Sequence, residues 1–261
     1  MEQILLYMPN AMLVFCRITS FFIVAPVFTA RNVPATFKLG LSFFLTLMAL
    51  AAVEDTPVVI DGMYILTILR EILIGVLLGL IAYFFFVVAQ MAGAFIDLQI
   101  GFAIANVIDP MTGMQSPMIG NFKYFLSILL FLSMDGHHLL LRAIIDSYRW
   151  VPLNNELFAQ IYSGDVSNFV IQSFVTAFAL ALQMAAPIVA SLFLVDVGLG
   201  LLARSAPQFN IFVIGIPVKI LIGLVMLFLF IPGLWNLFAE LFQTLFEHME
   251  KLLELLAVPS A

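Results

Sequence analysis

The side chains able to do chemistry in this chain are few and scattered. His137 and His138 are adjacent. Neighbours on a helix point about 100° apart, and no cysteine cluster or carboxylate-rich segment is evident to complete the ligand set that zinc requires. They read as a pair in a loop or at a helix end, with a metal site as the competing reading. Asp97, Asp109 and Asp196 raise the idea of an intramembrane aspartyl protease, but the GxGD arrangement is missing, since Asp196 precedes Gly198 and Gly200. No GxSxG elbow, HExxH motif or GxxxxGK[ST] phosphate loop occurs. Cys16 is the single cysteine, which rules out an internal disulfide and a thiolate cluster. These residues predict a chain that is not an enzyme and needs no cofactor.

A different chemistry is concentrated in residues 100–120, IGFAIANVIDPMTGMQSPMIG. Asn106, Asp109, Gln115 and Ser116 sit there among Gly101, Gly113, Gly120, Pro110 and Pro117. Proline bars a continuous helix, and glycine permits turns. Met111, Met114 and Met118 add flexible, polarizable side chains that fill irregular gaps. In lipid, non-helical backbone survives only where protein covers it or water reaches it. The segment therefore reads as a constriction along a pore that seals by dewetting, or as a tight interhelical turn buried in protein. Some fifteen residues is long for a mere turn.

The elements that must position this segment are apolar. Of 261 residues, 64% are hydrophobic and 10% charged, with a mean hydropathy of +1.15. Soluble domains are roughly 45–50% apolar and about 25% charged, so the chain is a membrane polypeptide. A net charge of -6 with scattered bases excludes the basic stripe that tracks nucleic acid. The N-terminus carries an acid where a signal peptide wants bases, and it reads as retained. Apolar segments lie at about residues 4–28, 39–53, 72–96, 122–145, 169–195 and 211–235, against the roughly 20 residues a spanning helix needs. Pro9, Pro26, Pro187 and Pro217 interrupt them, and Arg17, Gln183 and Lys219 are polar intrusions. The pattern predicts an all-α fold of helices broken by Pro and Gly and packed on other protein, with Arg17 and Lys219 paired to acids on neighbouring helices. Gly75 and Gly79 form a GxxxG pair suited to close helix approach. Arg31 and Lys38 place the first connection in the cytoplasm by the positive-inside rule.

Residues 1–261 read as one domain. Within it, residues 236–258 form a C-terminal amphipathic helix, with Phe238, Phe242, Leu245, Met249, Leu252 and Leu256 on one stripe and Glu240, Glu247, Glu250 and Glu254 elsewhere. The stripe either folds back on its own chain or docks on a partner. Two segments, around Asp97 and Asp196, each place an Asp four residues before a Gly with a proline beyond.

The run VDVGLGLLARSAPQFNIFVIGIPVK carries Asp196, Arg204, Pro207, Gln208, Asn210, Pro217 and Lys219, and it resembles the characteristic stretch of the FliR family. That family is the R subunit of the flagellar export gate, shared with virulence type III secretion systems. Residues 100–117, the PVF at Pro26 and the RNVP from Arg31 to Pro34 are similar to the family as well, so the likeness covers nearly the whole chain. The resemblance implies one copy assembled with several copies of the P and Q subunits into a closed helical gate for unfolded secreted proteins. It implies helical hairpins lifted partly from the bilayer plane of the bacterial inner membrane, at the flagellar basal body. It makes residues 101–120 a channel plug, comprising Asn106, Asp109, Pro110, Met111, Gly113, Met114, Gln115, Ser116, Pro117 and Met118. It also places the loop from Arg204 to Lys219 on the cytoplasmic side, near the switch protein and export apparatus. The rival reading is a secondary transporter whose Asp97, Asp109, Asp196 and Arg204 line a polar path at broken helices.

Overall fold

The computed structural model describes residues 2–29, 32–50, 57–58, 60–102, 117–153, 164–208 and 210–257, with backbone alone at 2–6 and 211–212. Seven helices are described and, among these residues, no strand: α1 Glu2–Val24, α2 Ala35–Leu50, α3 Tyr64–Ile100, α4 Met118–Ser133, α5 Gly136–Trp150, α6 Asp165–Ser205 and α7 Ile211–Leu256. Four helices are long and apolar enough to cross a membrane, and α4 with α5 supplies a fifth if the bent pair counts as one span. The molecule is an all-α membrane protein. At 1.5 Å per residue, the 37, 41 and 46 residues of α3, α6 and α7 extend for about 55–70 Å, well beyond a hydrocarbon core of about 30 Å.

Pro9, Pro187, Pro217 and Pro232 all lie inside helices that continue across them. Proline is tolerated in membrane helices when neighbouring groups satisfy the freed backbone. The break between α4 and α5 falls instead at Asp135, a non-glycine residue in the left-handed region at φ 56°.

The chain divides into two compact units, the first comprising Met1–Phe84, Met134–Phe174 and Phe242–Ala261, the second Phe85–Ser133 and Val175–Leu241. In the first, α1 and the start of α3 meet so closely that a Cβ on Gly75 would collide with the Ser20 hydroxyl and the Arg17 carbonyl, and one on Gly79 would come within 2.9 Å of the Val24 Cβ. The GxxxG pair thus serves a contact inside the chain. Phe21, Phe22, Ile74 and Leu78 are fully buried in this unit. In the second, Phe86 meets Phe131 edge-on at 4.8 Å, and Phe95 meets Phe178 at 5.9 Å. Ile100 packs against Gly223.

All six apolar residues of the C-terminal stripe, Phe238, Phe242, Leu245, Met249, Leu252 and Leu256, are buried by the chain itself. The stripe belongs to the C-terminal end of α7, with no separate helix start at residue 236. The apolar body of α7 is otherwise uncovered: 11% of its most apolar window is buried, against 56% for α3. Lipid or another protein must cover that surface.

Candidate functional site

The polar segment at residues 100–120 is described only at its two feet; Asn106, Asp109, Pro110, Met111, Gly113, Met114, Gln115 and Ser116 lie outside the described residues. One residue organises both feet. At the first, α3 ends on Gly101 with φ 98°, and the Asp97 carbonyl accepts the amides of Gly101 and Phe102 at 3.2 and 3.1 Å, as in glycine-terminated helices. At the second, Pro117 holds the cap position of α4, where its carbonyl accepts the Asn121 amide at 2.9 Å. Its ring has no polar atom with which to cap the next amides. The Asp97 carboxylate supplies the missing acceptor from α3, taking the Ile119 amide at 3.0 Å and the Gly120 amide at 3.1 Å. An anion at a helix N-terminus is favoured by the macrodipole.

The approach that permits this is a glycine contact. A Cβ on Gly93 would run into the Gly120 backbone, so α3 and α4 touch at main-chain distance. Gln90 Nε2 donates to Asn121 Oδ1 at 3.2 Å just beyond. Asp97 is 4% exposed, and Met118, next to the clasp, is 72% exposed.

The second predicted set divides in two. Asp196 on α6 pairs with Lys219 on α7 at 2.9 Å and accepts Gln99 Nε2 at 2.9 Å, so this acid and base pair across helices as expected. Arg204, Pro207, Gln208 and Asn210 are exposed in and beside the turn between α6 and α7, where the Asn210 carbonyl accepts the Val213 amide at 3.1 Å. Pro217 is exposed within the second turn of α7.

Arg17 belongs to a buried network whose other members the sequence reading did not find. Its Nε donates to Glu71 at 2.6 Å, Nη1 to Ser147 at 3.0 Å and Nη2 to the Val151 carbonyl at 2.9 Å. The guanidinium lies 4.1 Å from the centre of the Tyr148 ring. Arg70 donates to the other Glu71 oxygen at 2.9 Å and to the Leu153 carbonyl. Two cations thus share one carboxylate, and the excess positive charge faces carbonyls just past the C-terminus of α5, the negative end of its dipole. The network fastens α1, α3 and α5 together.

His137 and His138 open α5 after the break, with rings 4.1 Å apart. Asp135 brings the carboxylate that the sequence reading lacked: with the two histidines it places ligand atoms within 4.8 Å of one another. Asp135 and His138 are exposed, and the Asp135 oxygen lies 3.5 Å from His138 Nδ1.

An all-α membrane protein of full-length apolar helices, with a clasped polar segment between two of them, is the class these features define. Residues 8–245 match the family described as bacterial export proteins, family 1. The chain is 42% identical to the flagellar biosynthetic protein FliR of Bacillus subtilis over 99% of its own length and 100% of that protein. It is 32% identical to the protein of the same name from Pectobacterium carotovorum over 91% and 92%, and 29% identical to that of Escherichia coli over 90% and 91%. The chain belongs to the FliR family of bacterial export proteins.

Proposed function

We propose that the chain is a non-enzymatic subunit of the flagellar type III protein export gate, resident in the bacterial inner membrane at the basal body. The observation that carries this is the 42% identity, over the full length of both chains, to a protein named for flagellar biosynthesis. In this reading the whole chain acts as one subunit domain beside P and Q subunits, and unfolded proteins pass through the assembly. The uncovered apolar body of α7 supplies surface for neighbouring subunits.

Residues 106–118 serve as the channel plug. What supports this is the anchoring of the segment: Asp97 binds the main chain at both feet, which fixes where the methionine-rich stretch starts and returns. Met111, Met114 and Met118 then close the path by excluding water and repack as an extended chain goes by. The exposed turn with Arg204, Pro207, Gln208 and Asn210 faces the cytoplasm, toward the switch protein and the export apparatus, while Asp196, Pro217 and Lys219 set the geometry of the hairpin that carries it. A small-solute transporter is not favoured, because Asp97 is engaged by backbone amides and Asp196 by Lys219 and Gln99.

Affinity purification of the chain from its own membranes tests the reading. One copy recovered with larger and unequal numbers of two other hydrophobic proteins is the expected result. A stable homodimer that moves a small solute in vesicles contradicts it.

A further inference from the structure

A buried cation in the second unit has no role in the clasp or in the pairs described above. Lys123 lies in the second turn of α4 and is 3% exposed. Among the described residues it makes no hydrogen bond or ion pair. It lines a cavity of ≈ 220 Å³ whose other walls include Gln183, Met184, Leu227, Phe230 and Leu234. An ammonium among apolar side chains is costly unless paired, and this space far exceeds what one water needs. Asp97 and Asp196, the acids on neighbouring helices, are already engaged.

We propose that Lys123 and this cavity form a receptor for a carboxylate carried on an apolar helix of another membrane protein. Charge and surroundings select that occupant. Gln183 and Met184 on α6 and Leu227, Phe230 and Leu234 on α7 make the wall around Lys123 almost wholly apolar. An Asp or Glu on an apolar helix is itself too costly to leave unpaired and requires a cation, so each charge meets the other's need. The cavity is open on one flank, for Ile231 both lines it and is 52% exposed, and Leu224 and Phe228 beside it are 52% and 74% exposed. That uncovered apolar flank of α7 is the seat for the incoming helix, with the single charge fixing its register.

The proposal rests on the reading of the chain as a subunit of a larger membrane assembly. To test it, membranes holding the whole assembly are treated with dicyclohexylcarbodiimide, an apolar reagent that adds to a carboxyl as an O-acylisourea, so that a touching amine displaces dicyclohexylurea and forms an amide. Peptide mass spectrometry is expected to find Lys123 joined to an Asp or Glu of a different chain. Lys123→Met is expected to lower the co-purified partners by roughly tenfold or more, since it strands the opposing carboxylate, and Lys123→Arg to lose the link yet retain more partner than Lys123→Met. A link to this chain's own Asp109, no link at all, a bound anionic lipid lost from Lys123→Met, or Lys123→Met with wild-type partner yield each overturns the proposal. If other hydrophobic proteins co-purify and Lys123 remains unlinked, the receptor alone is refuted; if nothing co-purifies, the subunit reading falls first.

Discussion

Replacing Glu71 by Gln isolates the charge in the buried network with almost no change of shape. Both Arg17 and Glu71 side chains are fully buried, and Arg70 is 5% exposed, so solvent cannot take the place of the lost carboxylate. The amide keeps one acceptor oxygen where two accepted Arg17 and Arg70, and its NH2 group faces a guanidinium. Breaking a buried pair by removing one partner costs about 3–5 kcal/mol, a large share of the ~5–15 kcal/mol that holds a typical domain. At about 2–4 °C per kcal/mol for chains of this size, the melting midpoint in detergent should fall by on the order of 10 °C. Trp150 is a natural reporter, since it ends α5 next to Val151, whose carbonyl Arg17 holds. The double variant Glu71→Gln/Arg70→Gln removes one of the stranded cations, so its loss should be smaller than the sum of the two single losses by ~1–3 kcal/mol. A Glu71→Gln midpoint within about 2 °C of wild type, or strict additivity in the double variant, would mean that the shared carboxylate does not hold the two guanidinium groups.

Asp97→Asn removes the charge from the α4 cap and should weaken it by about 1–2 kcal/mol; hydrogen exchange at the Ile119 and Gly120 amides should then speed up by roughly 10-fold or more while the amides near Phe131 stay protected. Gly75→Val drives a side chain into Ser20 and the Arg17 carbonyl, and the yield of folded protein should drop sharply. Gly200→Ala meets nothing within 4 Å and should match or slightly exceed wild-type stability. Asp196→Asn breaks a pair whose carboxylate is 40% exposed, so its cost in detergent should stay within about 1 kcal/mol.

What could be read from the sequence was what depends on local periodicity. Phe238, Phe242, Leu245, Met249, Leu252 and Leu256 share one face at any helical geometry, and all six are buried. Glycines 75 and 79 signalled close packing, though the sequence could not say that the neighbour was α1 of the same chain. Continuity across Pro187, Pro217 and Pro232 was not legible, because the groups that compensate an intrahelical proline come from packing. Nor was the break at Asp135, where a non-glycine residue adopts a left-handed backbone. The Arg17–Glu71 pair spans 54 positions, and no short-range pattern announces it. Asp97 could be seen as costly in an apolar segment, but its purpose depends on Pro117, a cap without a polar atom 20 residues along. Lys123 drew no notice at all; only the cavity beside it gives it meaning.

Whether residues 111–118 seal a channel is decided by ion leakage through the assembled gate. Residues 111–118 are deleted in the full chain, the complex is confirmed by co-purification, and the conductance of the membrane is measured beside protein secretion. If they do seal it, the complex still assembles and the membrane leaks ions at rest. An intact complex with wild-type secretion and no added conductance would contradict the seal, and would leave the chain as a scaffold that lines no channel.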